Sequence, residues 1–84
     1  MESPYKTLQT IYTIAKHDQQ PVTYPCRPRE IILRLFLDWS IIQQHLKLLE
    51  EEGFVVTKQL DTLIITITRA GIDKVLSQNF DYQK

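Results

Sequence analysis

Residues Glu30–Val55 read EIILRLFLDWSIIQQHLKLLEEEGFV, and this stretch decides the fold. Pro28 opens a helix whose apolar face is Ile31, Ile32, Leu35 and Phe36. Asp38 then stands where a capping side chain starts the next helix. In that helix Trp39, Ile42, Leu46 and Leu49 recur at three- and four-residue spacing, which at 3.6 residues per turn makes one narrow stripe. Gly53 ends it, and Phe54-Val55-Val56-Thr57 begins a β-branched run. The stretch therefore predicts two helices joined by a tight turn and followed by a strand.

Working outward, Ser3-Pro4 is a helix start, and Tyr5, Leu8, Ile11, Tyr12 and Ala15 give a first helix over 4–16 one apolar face. His17 to Pro21 is polar and closes on proline, a loop. Val22-Thr23-Tyr24, between Pro21 and Pro25, is read as a short edge strand over 22–24. Helices follow over 28–36 and 38–52. Strands over 54–58 and 63–68, separated by Gln59-Leu60-Asp61-Thr62, form a hairpin. Thr68 caps a last helix over 69–78, with Ile72, Val75 and Leu76 facing inward. The chain is read as one domain over 1–84, mainly α with a small β-hairpin, because 84 residues cannot build two cores.

The order and spacing of Leu35, Leu37, Asp38, Ile42, His45, Leu46, Leu49, Glu50 and Gly53 resemble the helix-turn-helix and first wing strand of winged-helix transcriptional regulators of the MarR/ArsR/PadR type. Thr68-Arg69-Ala70-Gly71 resembles the Thr-x-x-Gly that commonly opens the helix after the wing. The resemblance covers about two-thirds of the chain. It implies a winged helix-turn-helix that binds double-stranded DNA, with the third helix in the major groove and the hairpin as wing. It also implies a homodimer formed through the first and last helices. The chain departs from the pattern in three places. Phe36 replaces the usual turn glycine, Gln44 stands where many relatives carry arginine, and the wing loop has no basic residue, leaving Lys58 as the nearest cation.

The third helix turns Ser40, Gln43, Gln44, Lys47 and Glu51 away from its apolar stripe. Glutamine can bond adenine bidentately, and Lys47 can meet a phosphate or a guanine. Arg27 and Arg29, at the start of the second helix, and Lys58 are the expected phosphate contacts. The alternative is an ordinary solvated helix face. Ten basic and ten acidic residues give zero net charge, with two excess positives over Pro21–Leu49 and two excess negatives from Glu50 onward. That field permits DNA binding without demanding it. A protein-interaction module, docking through Ile41, Leu48, Phe80 and Tyr82, is therefore the rival function.

Other classes find little support. No set of side chains assembles a nucleophile, a base and an oxyanion site, so no enzyme is expected. No Cys/His set has metal-ligand spacing, and no cofactor motif appears. Cys26 beside Arg27 is either inert or a redox sensor with a lowered pKa. His45 borders the apolar stripe and is read as a packed, hydrogen-bonded histidine, and Glu50-Glu51-Glu52 as a helix end. No apolar run is long enough to span a bilayer, and MESPYKTLQT lacks the basic and apolar regions of a secretory leader; a cytoplasmic protein is expected.

Overall fold

The computed structural model describes residues 3–82, with side chains to residue 77. The first helix, α1 (Pro4–Ala15), starts where Ser3 Oγ accepts the Tyr5 N–H at 3.2 Å and Pro4 takes the first turn. Leu8, Ile11 and Ala15 are fully buried, Ile14 joins them, and Tyr5 and Tyr12 are half-buried. This helix packs against three others and against the hairpin, so it lies at the centre of the core.

The segment read as a strand over 22–24 is instead a turn of 3-10 helix, Pro21–Thr23. Thr23 donates from both its N–H and its hydroxyl to the Gln20 carbonyl at 3.0 Å, and the Tyr24 N–H reaches the Pro21 carbonyl at 3.2 Å. Proline at 21 fixes φ for such a turn. The β pairing moves to Cys26, which exchanges two hydrogen bonds of 2.9 Å with Ile65.

In α2 (Pro28–Leu35) the Glu30 carboxylate accepts the Arg27 N–H at 3.0 Å, and Ile31 is fully buried. The helix stops at Phe36, which adopts the left-handed conformation (φ 57°, ψ 34°) and donates its N–H to Ile32 at 2.9 Å. A phenylalanine thus makes the turn with glycine's geometry.

Helix α3 (Trp39–Glu51) begins at Asp38, whose carbonyl accepts the N–H groups of Ile41 and Ile42 at 3.0 and 3.1 Å. The Asp38 side chain makes no capping bond, contrary to the role expected of it. Ile42, His45, Leu46 and Leu49 are buried, with Trp39 partly buried beside them. At the other end Gly53 (φ 81°) donates to Glu50 and Phe54 donates to Leu49, at 3.0 and 2.9 Å. This is the two-bond pattern that closes a helix on a left-handed glycine.

Strands β1 (Val55–Gln59) and β2 (Leu63–Ile67) pair antiparallel, with Val55 opposite Ile67 and Thr57 opposite Ile65. Val55, Ile65 and Ile67 face the core, while Val56 and Lys58 alternate outward. Thr68 then receives the Gly71 N–H on its hydroxyl at 3.0 Å and donates that hydroxyl to the Gly53 carbonyl at 2.7 Å. A side chain at Gly71 would overlap the Phe54 carbonyl and Ile67, so the Thr-x-x-Gly spacing joins the last helix to the end of α3. Helix α4 (Arg69–Tyr82) continues past the expected end at residue 78. Val75 is buried and Ile72 partly so, but Leu76 is 48% exposed rather than inward, because the inner face of α4 is only a narrow stripe.

Candidate nucleic-acid interface

Ser40, Gln43, Gln44 and Lys47 are all exposed on the solvent side of α3. Gln43 and Lys47 also border a groove of about 160 Å³ between α3 and the hairpin, with Leu46, Glu50, Thr57 and Leu63 as its other walls. The groove is held in shape by Glu50. Its carboxylate accepts the Thr57 hydroxyl at 3.0 and 3.1 Å and the Thr57 N–H at 3.3 Å, linking α3 to β1. The opposite side of α3 is tied to α1, where His45 Nδ1 lies 2.7 Å from the Thr7 hydroxyl in a buried contact. The polar face is therefore presented by a helix anchored on both flanks.

The sequence matches no family model and no curated protein. Among solved structures it is similar to the transcriptional regulator Tm0710 from Thermotoga maritima, with 26% identity and a TM-score of 0.64 over 99% of this chain. The chain spans 58% of that regulator's length. The likeness and the order helix, helix, turn, helix, hairpin, helix decide the architecture. The fold is a winged helix-turn-helix. In its terms α2 and α3 are the helix-turn-helix and β1–β2 is the wing. The resemblance to winged-helix transcriptional regulators read from residues 30–55 agrees with this neighbour.

The remaining expected contacts lie outside the groove. Lys58 is exposed on the wing but alternates to the face opposite Thr57, beside Val56. Arg27 and Arg29 are exposed at the N-terminal end of α2. Ile41 is half-buried, whereas Leu48 is 48% exposed. The side chains of Phe80 and Tyr82 lie outside the described residues.

Cys26 is fully buried, 3.9 Å from the Ile11 carbonyl, and burial pushes its thiol up to about 12, with Glu30 adding to the effect. That is the inert reading, since a sensor needs an accessible thiolate. Among the described residues no group of three His, Cys, Asp or Glu could hold a metal, and no helix is long and apolar enough to cross a membrane.

Sequence reasoning missed what the glutamates do. Glu50 holds the wing. Glu52 accepts the Tyr5 hydroxyl at 3.1 and 3.2 Å, and this bond raises the Tyr5 pKa. The Tyr5 ring also lies 6.3 Å from Phe54 and 5.0 Å below the Lys74 ammonium, so the end of α3 is stitched to α1 and α4. A carboxylate seven residues before a strand threonine was the available signal, but only the glycine turn at 53 brings the two together.

Proposed function

We propose that this winged helix is a double-stranded DNA-binding transcriptional regulator, acting in the cytoplasm as a homodimer on an inverted repeat. The observation that carries the reading is the exposed face of Ser40, Gln43, Gln44 and Lys47 on a helix braced by Thr7 and Thr57. Short hydrogen-bonding side chains on a rigid helix suit insertion into the major groove. The similarity to a transcriptional regulator supports the same role. In this reading Ser40, Gln43 and Gln44 touch base edges. Lys47, Arg27 and Arg29 meet phosphates, and Lys58, on the outer side of the wing, meets a flanking phosphate.

Few cations serve the contact, so electrostatics contribute modestly. Four phosphate contacts give a slope of log affinity against log salt on the order of −3 to −4 per protomer. An electrophoretic shift assay with a random duplex pool at low salt tests the proposal, and a retained fraction that is lost as salt rises is the expected result. No retained duplex at low salt would overturn it and favour protein docking through Ile41 and Leu48. Sedimentation should give about twice 9.9 kDa; a monomer at high concentration would remove the inverted-repeat geometry.

A further inference from the structure

Ser40, Gln44 and Leu48 follow one another at four-residue spacing, so they form a single row along the solvent side of α3. Leu48 is 48% exposed although the rest of the row is polar, and burial in the core does not account for its presence there. The recognition helix carries no arginine, the side chain best suited to grasp guanine O6 and N7 together. What the row does carry is a carboxamide and, one turn on, a pair of methyl groups.

These are complementary to the two edges of an A·T pair in the major groove. Adenine offers an N7 acceptor and an N6 donor, which a glutamine side chain meets with its NH₂ and its oxygen; thymine offers the 5-methyl group, which takes an apolar contact. We infer that Gln44 and Leu48 together make this protein a reader of A·T pairs. Gln44 bonds adenine, and Leu48 packs on the methyl of a thymine in the same or the adjacent pair. The inference rests on the DNA-binding reading above and names the class of sequence that the recognition helix selects. Lys47, beside this row, contacts the backbone and adds no base preference of its own.

The test begins with selection of duplexes from a random pool by the full chain, which should enrich A·T pairs at adjacent positions in each half-site. Deoxyuridine is then placed for thymine at those positions, removing only the methyl. Loss of one buried methyl should weaken binding about fourfold. The Leu48→Ala variant should bind the thymine and deoxyuridine duplexes alike, and its half-exposed position leaves the fold intact by circular dichroism. Replacing the adenine by 7-deazaadenine should weaken the parent about tenfold and leave Gln44→Ala unaffected, since each bidentate contact discriminates by roughly 5- to 150-fold. A selected site rich in G·C pairs would overturn the inference while leaving DNA binding standing. So would A·T enrichment with no sensitivity to the thymine methyl, because that pattern reports groove shape. Failure to retain any duplex would overturn both the inference and the reading on which it rests.

Discussion

Replacing Phe36 by asparagine should make the domain more stable, although it deletes an aromatic ring from the helix-turn-helix. Phe36 sits at φ 57° and ψ 34°, where the Cβ of an L-residue crowds the neighbouring carbonyl at a cost of roughly 1–2 kcal/mol. Asparagine tolerates this region better. The ring is 87% exposed, so little is lost with it. If full burial of a phenylalanine is worth about 2–3 kcal/mol, the small covered remainder contributes only about 0.3 kcal/mol. The net gain for Phe36→Asn is then about 0.5–1 kcal/mol, which for a domain of this size raises the thermal midpoint by roughly 2–8 °C. Phe36→Ala also removes the ring but lacks the carboxamide whose local hydrogen bonds favour asparagine in this region, so it should show no such gain, which separates relief of the backbone from loss of the ring. Thermal unfolding followed by circular dichroism reads all three proteins. A midpoint for Phe36→Asn below that of the parent would refute the reasoning, because the ring would then be stabilised by contacts that its exposure denies.

Gly71→Ala should destabilise by at least 1–3 kcal/mol, since its Cβ must displace the Phe54 carbonyl or Ile67; an unchanged urea midpoint would mean that α4 does not dock there. Asp38→Ala should change stability by less than about 0.5 kcal/mol, because no side-chain capping bond exists to lose, and a loss near 1 kcal/mol would restore the cap. Cys26 has a folded pKa of about 12 against an ordinary value of 9.0, so its contribution to stability is complete below pH 9 and is lost as pH rises from 9 towards 12. The denaturation midpoint should fall more steeply over that window in the parent than in Cys26→Ala, and equal slopes would contradict the burial of the thiol.

The buried face of α3 was legible because Ile42, Leu46 and Leu49 repeat at helical spacing and no other element competes for residues 39–51. Gly53 and Thr68-x-x-Gly71 were legible for a different reason: each meets a backbone requirement, a positive φ or a close approach, that few residue types satisfy. Residues 22–24 were misread because propensity favours Val and Thr in strands, whereas Pro21 and the Thr23 hydroxyl close a tighter turn on Gln20. Asp38 occupies the cap position by sequence, but its side chain makes no capping bond, a detail that residue type and spacing do not reveal. Of the candidate site, the exposure of Ser40, Gln43, Gln44 and Lys47 followed from periodicity. The Glu50–Thr57 link did not, because it depends on how the chain reverses between α3 and β1. Lys58 shows the same limit, since its alternation away from the groove follows from the strand's register against β2.

Amide chemical-shift mapping of the labelled protein during titration with a selected A·T-containing duplex tests most directly whether α3 is the reading element. The largest shifts should fall on residues 39–48, with smaller ones at Arg27, Arg29 and Lys58, and the Gln44→Ala variant should lose the pattern on α3. Shifts concentrated on the outer faces of α1 and α4, with Ser40, Gln43, Gln44 and Lys47 unmoved, would contradict it.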